Sequence, residues 1–426
     1  MTSPTSRTPS GPEAAAGRPA ADAGAGASAA AGAGAADAGA AAAAGAGAAG
    51  RLRAQIARQG PVPWSVLVGA ALYGPGGFYS AGGGAGRTRD FLTSVELGPL
   101  FGAIVARALD AAWERWGCPD PWIVIEGGAG AGTLAAAVLA AAPACASALR
   151  YVAVEISPVL RSAAAERLPV EDPAQILGPR VASSADGGAL TSPRDLGPLV
   201  TVTQEVPAGP FVGLVMANEL LDNLPFDVYE RGRSGWLEVR VGMDGDRFIE
   251  IVVAAGAEVS HQLDRLAPDA PQGGRVPWQA AAIEWVRSAM AGIESGRVVM
   301  IDYARPTAAL ARLPMEAWLR TYRGGGRGGA PLDDVGHQDI TVDVALDQLQ
   351  AGSRPATRIE SQAAWLDRHG LGDLEAQAAA AWRAGASVGD LSALRARSRV
   401  NEAATLRDPA GLGGFTVCEW DVRPPR

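Results

Sequence analysis

Lysine is absent from the chain: all 37 basic residues among its 426 are arginine. Set beside the abundance of alanine and glycine, this reads as a coding bias, and it excludes a Tyr-x-x-x-Lys catalytic dyad. Cysteine is scarce. Cys118, Cys145 and Cys418 lie far apart without C-x-x-C spacing, one must stay unpaired within a monomer, and all three read as small buried hydrophobes. His261, His337 and His369 are equally scattered, which leaves too little clustered material for a zinc site or a Ser-His-Asp triad, so no metal is expected. There is no basic excess either. A formal charge of −8 and a pI near 5.1 deny the chain the positive field that nucleic acid or an anionic membrane surface requires. No apolar run approaches the ~20 residues that cross a bilayer.

What is present suits a sizeable core: 48% of the residues are hydrophobic, enough for one large α/β domain with insertions or for two domains. Residues 1–50 are mostly alanine, glycine, proline and serine, without the features of a signal or transit peptide. They read as a disordered tail, and the chain as a cytoplasmic protein. A helical cap region is expected over 51–120. Within it Leu52, Ile56 and Ala57 are spaced for one helix face, and a long helix runs from Leu100 to about Trp116.

The centre of the sequence is Trp122-Ile123-Val124-Ile125-Glu126-Gly127-Gly128-Ala129-Gly130-Ala131-Gly132-Thr133-Leu134. Its β-branched run reads as a buried parallel strand, and its glycines let the backbone turn close to a ligand at the start of the next helix. Glu126 ends the strand, ahead of Gly128, Gly130 and Gly132. A carboxylate there repels a pyrophosphate and suits S-adenosylmethionine (SAM) better. The overlapping frame Gly130-x-Gly132-x-x-Ala135 still fits a dinucleotide fingerprint and keeps an NAD-dependent oxidoreductase open as an alternative.

From here the pattern alternates strand and helix. Glu155 closes a second strand at the place where a carboxylate accepts from both ribose hydroxyls of an adenosine ligand. Upstream, Asp90, Thr93, Ser94 and Glu96 form a tight polar group before the long helix, as ligands of the cofactor or as helix caps. After the strand Phe211–Ala217, Asn218, Glu219 and Asp222 fall at a strand's carboxyl end, where a substrate meets the cofactor in an open α/β sheet. Glu219 and Asp222 are spaced to share one face of a helical turn. Two insertions interrupt the domain that starts at residue 121, an antiparallel one at about 226–277 and a second at about 304–375. The second contains the run Gly324 to Gly329, which reads as a mobile loop.

The order of these stretches resembles the MidA-like SAM-dependent methyltransferases, a family that includes a mitochondrial complex I assembly factor methylating an arginine of a complex I subunit. The resemblance rests on Ala71-Leu72-Tyr73 with Gly77-Phe78-Tyr79-Ser80, on Asp90-Phe91-x-Thr93-Ser94-x-Glu96, and on the glycine loop. It continues through Val154-Glu155-Ile156-Ser157-Pro158, Ala217-Asn218-Glu219-Leu220-Leu221-Asp222-x-Leu224-Pro225, Ile301-Asp302-Tyr303, Arg320-Thr321-Tyr322-Arg323 and Gly336-x-Gln338-Asp339-Ile340-Thr341. Arg89, Val95 and the glycine run after Arg323 depart from the family pattern.

The resemblance implies a Rossmann-like α/β methyltransferase fold with a mostly parallel sheet, helices on both faces and an N-terminal helical extension. It also implies SAM as cofactor, held by Glu126, the glycines, Glu155, Asp90, Thr93, Ser94 and Glu96. A protein substrate follows, with a respiratory complex I subunit as candidate and Glu219, Asp222 and Asn218 as the catalytic set. A SAM-fold assembly factor without catalysis is the alternative from another functional class.

Overall fold

A computed structural model describes residues 47–83, 93–177 and 196–423, apart from Ala208 and Val388. Seven strands form its central sheet: β1 (Trp122–Gly127), β2 (Leu149–Val154), β3 (Leu199–Thr203), β4 (Phe211–Asn218), β5 (Ile293–Asp302), β6 (Arg358–Ser361) and β7 (Thr416–Val422). The spatial order is β6-β7-β5-β4-β1-β2-β3. Strands β1 to β5 run parallel, and β7 runs antiparallel to both neighbours. Every residue of β1 and β2 is buried, Glu126 and Arg150 among them, as helices on the two sides of a parallel sheet require. A dinucleotide sheet of order 3-2-1-4-5-6 has no antiparallel strand between its fifth and sixth. The sheet therefore departs from the oxidoreductase alternative.

Helices α1 (Ala48–Gln59), α2 (Trp64–Leu72), α3 (Ser94–Leu97), α4 (Pro99–Arg115), α5 (Thr133–Ala140), α6 (Pro158–Arg167), α7 (Ala280–Gly292), α8 (Gln362–Arg368), α9 (Leu371–Gly385) and α10 (Leu391–Arg407) complete the elements used below. Helix α4 packs with α5 on one face of the sheet, in a core with Trp122, Tyr151 and Trp365. Its first turn is capped from a distance, the Leu100 N–H donating to the buried Glu402 of α10 at 2.7 Å.

Residues 51–120 do not pack as one unit. Helices α1 and α2 join both insertions in a separate core with Trp64, Phe226, Trp236, Trp318 and Val342, whereas α4 belongs to the sheet. The first insertion supplies antiparallel strands Asp227–Arg231, Trp236–Asp244, Arg247–Ala254 and Arg275–Trp278 to this second lobe. Its apolar faces pack against the N-terminal helices and against Leu310, Trp318, Ile340 and Val342 of the second insertion.

Four local expectations are revised. The first helix starts at Ala48, inside the span assigned to the tail, and it buries Ala48, Leu52 and Ile56 while Ala57 is exposed. Cys118 is exposed, at φ 53° in a turn after α4, while Cys145 and Cys418 are buried. Gly324 and Gly325 form the two-residue turn of a hairpin that pairs Tyr322 with Arg327. Their φ values of 57° and 80° are what that turn requires, so the glycines specify a structure and not a loose loop. Finally, Glu219 to Asn223 is a turn and not a helix.

Candidate active site

The strand order reverses between β1 and β4, and at that switch point a cavity of about 610 Å³ opens at the carboxyl ends of the strands. Its near wall is the glycine loop. Gly128, Gly130 and Gly132 sit at φ 67°, 55° and 74°, a region costly for any residue with a Cβ. At Gly128 a Cβ would also stand 2.8 Å from the end of the Leu220 side chain, which would have to move.

Glu126 is buried behind the loop and accepts the Tyr151 hydroxyl at 2.7 Å. Burial pushes its carboxyl up to about 8, with Glu155 adding to the rise and the Tyr151 hydrogen bond opposing it. Glu155 accepts the N–H groups of Gly130 at 2.9 Å and Ser157 at 2.7 Å. It therefore holds the loop in shape and faces the cavity as well. Burial raises its pKa too, against those two backbone bonds.

The far wall carries acids. Glu219 follows β4 at φ 51°, an uncommon conformation for a non-glycine residue, and its carboxylate accepts from the Ser94 N–H at 3.2 Å and from Asn218 at 3.4 Å. Its pKa rises to about 8 through burial first and then through Asp222. Asp222 is pushed well above the carboxylate range by burial, Asp302 and Asp339, with Arg320 opposing.

Asp302, at the end of β5, sets this turn: it accepts from the N–H groups of Leu221, Asp222 and Tyr303 at 3.0, 3.2 and 2.9 Å. Arg320 lies 4.8 Å from the Tyr303 ring and pairs with Asp343 at 2.5 Å. So many carboxyls around one cavity cannot all ionise unless a cation joins them.

Of the residues expected at the site, Glu126, Gly128, Gly130, Glu155, Thr93, Glu96, Asn218, Glu219 and Asp222 line the cavity. Gly132 stands behind them as the N-cap of α5. Ser94 is fully buried one layer back, with its hydroxyl 3.1 Å from Gln362 Nε2. Neither Thr93 nor Gly98 makes a side-chain cap, so the capping reading of the Thr93-Ser94 group does not hold. Asp90 lies outside the described residues.

Tyr73, Tyr79, Asn223, Tyr303, Tyr322 and Thr341 also line the cavity and were not singled out from the sequence. All but Asn223 are named residues of the stretches that carry the family resemblance. The order of those stretches was the available signal.

Residues 104–363 match the family of S-adenosyl-L-methionine-dependent methyltransferases. A crystal structure from Burkholderia thailandensis with S-adenosyl-homocysteine bound is 29% identical, with a TM-score of 0.72, over 89% of this chain and 92% of that one. Among curated proteins, the mitochondrial protein arginine methyltransferase NDUFAF7 homolog of Drosophila melanogaster is 31% identical over 201 residues, 45% of this chain and 44% of its own length. The mouse NDUFAF7 is 28% identical over 229 residues, half of each chain. The chain thus spans about half the length of the curated relatives it matches. Both relatives are named as mitochondrial, which overturns the expectation of a cytoplasmic protein. That expectation rested on the composition of the first fifty residues, and composition does not encode a compartment.

The glycine loop, Glu126 and Glu155 line one cavity at the strand ends, and by its family match and its sheet the chain belongs to the SAM-dependent methyltransferases.

Proposed function

We propose that the protein methylates an arginine side chain of another protein, with a respiratory complex I subunit as the first candidate acceptor. One observation carries the reading. Asn218 Oδ1, Asp222 Oδ1 and Thr341 Oγ1 are buried polar atoms of cavity-lining residues that make no hydrogen bond among the described residues. Leaving such atoms unpaired costs about 1–3 kcal/mol each, and a guanidinium, with five N–H donors and no acceptor, would satisfy them together. The names of the curated relatives support the same acceptor chemistry.

SAM, when bound, supplies a methyl group on a positively charged sulfonium. Glu126, Glu155 and the glycine loop hold the adenosine side. Asn218, Glu219 and Asp222 orient the guanidinium, and this alignment is the main requirement of an in-line displacement. The new N–C bond forms as the S–C bond breaks, and one guanidinium proton must leave. With the cationic guanidinium beside it Asp222 ionises, and its carboxylate receives that proton, since neighbouring acids and burial give this carboxyl a high proton affinity.

Asp222→Asn keeps the size and loses the proton acceptor. Turnover on an arginine-bearing complex I subunit should fall roughly ten- to a thousandfold, at ~1.4 kcal/mol per factor of ten, while SAM affinity holds within about threefold. Unchanged turnover would remove Asp222 from the chemistry. A wild-type protein that binds the subunit and SAM without transferring methyl groups would establish the assembly-factor alternative instead.

A further inference from the structure

A run of hydrogen bonds joins the two walls of the cavity. It starts where Glu155 holds the glycine loop and takes the Ser157 N–H at 2.7 Å. The Ser157 hydroxyl then crosses between lobes, donating to the backbone carbonyl of Tyr79 at 2.7 Å. The Tyr79 phenol lies 3.0 Å from the Asp339 carboxylate and 3.1 Å from Asn223 Oδ1. Asn223 closes the run, donating to Asp339 at 3.1 Å and to the Ile340 carbonyl at 3.0 Å, next to the cavity-facing Thr341.

Glu155, Ser157, Asn223 and Asp339 are all buried, so none of these bonds is exchanged cheaply for water. The Tyr79 ring is fixed from two further directions. It stacks on Tyr73 with centroids 5.7 Å apart, and it meets Phe78 edge-on at 5.1 Å. A shift of the glycine loop at one end therefore meets a nearly rigid connection to the acid wall at the other.

We infer that Ser157 and Tyr79 are positioning residues through which an occupied cofactor site sets the geometry of the acceptor wall. Ser157 fixes the Tyr79 backbone to the cofactor side, and the Tyr79 hydroxyl fixes Asn223 and Asp339 beside Thr341. Neither touches the reacting atoms. The inference rests on the assignment of the acid wall to the acceptor, and it makes cofactor binding the event that completes that wall.

Amide hydrogen exchange of the full chain with S-adenosyl-homocysteine tests this without any acceptor. In the wild type the ligand should slow exchange at 128–132, at 77–82 and at 338–342, the last two by about five- to a hundredfold, the range of ordinary coupling between sites. Ser157→Gly keeps a residue that helix N-caps tolerate. It should retain protection at 128–132 and lose it at 77–82 and 338–342. Tyr79→Phe keeps the backbone carbonyl and the ring, so it should retain protection at 77–82 and lose it only at 338–342.

Wild-type protection confined to 128–132 overturns the inference, and so does a full pattern in both variants. Should Ser157→Gly fail to fold, the Tyr79→Phe pattern decides alone. A protein with the predicted exchange pattern and no transfer to arginine keeps the coupling and loses the function proposed above.

Discussion

Glu126→Gln should make the ligand-free protein more stable and the cofactor complex weaker. The Glu126 carboxyl is 4% exposed, its pKa stands at about 8, and no arginine pairs with it among the described residues. A carboxyl whose pKa is raised on folding favours the native state fully only below the unfolded value near 4.5, and that contribution is lost as pH rises toward 8. At pH 7 the folded protein holds a proton that the unfolded chain has shed, a cost of about 3 kcal/mol at ~1.4 kcal/mol per pH unit. Glutamine carries no such cost. Its amide oxygen still accepts the Tyr151 hydroxyl, and its N–H2 faces the cavity, where water meets it.

Allowing for imperfect replacement, a gain of about 2 kcal/mol is expected at pH 7, with almost none at pH 4, where both states of the wild type are protonated. Calorimetric melting at the two pH values reads it directly. SAM affinity should fall in the same variant, because glutamine, unlike the glutamic acid, cannot ionise when the cofactor brings its positive charge. A Glu126→Gln protein that melts lower at pH 7 would show that the acid is structural and refute the argument.

Two further outcomes follow from the geometry. Glu155→Gln turns an N–H2 toward one of the two N–H groups the carboxylate now accepts. SAM binding by titration calorimetry should weaken by about 1.5–3 kcal/mol, and an unchanged affinity would take Glu155 out of the cofactor site. Gly102→Ala places a Cβ 2.3 Å from that of Ala137, where α4 crosses α5. Alanine's helix propensity offers ~1 kcal/mol, but overpacking costs ~1–3. Chemical denaturation should therefore show a net loss of stability, and a net gain would mean that the helices separate easily.

The positions of the glycine loop, Glu126, Glu155 and Asn218-Glu219-x-x-Asp222 at strand ends were legible because each follows a largely apolar run. The helical reading of Glu219 and Asp222 failed because nothing local announces the left-handed turn at Glu219. Asp302 imposes that turn from some eighty residues away. The second lobe was illegible for a similar reason. Its core pairs helices near residue 50 with strands beyond 226, and no periodicity encodes which distant faces will meet. The run Gly324 to Gly329 misled by composition, since glycine permits mobility and equally permits the tight hairpin that forms.

Methyl transfer from SAM to arginine is read by incubating the protein with methyl-labelled SAM and a complex I subunit, hydrolysing the acceptor and separating its amino acids. Label is expected in methylated arginine, strongly reduced when Asp222→Asn replaces the wild type. Label in another amino acid, or none above a protein-free control, would contradict it.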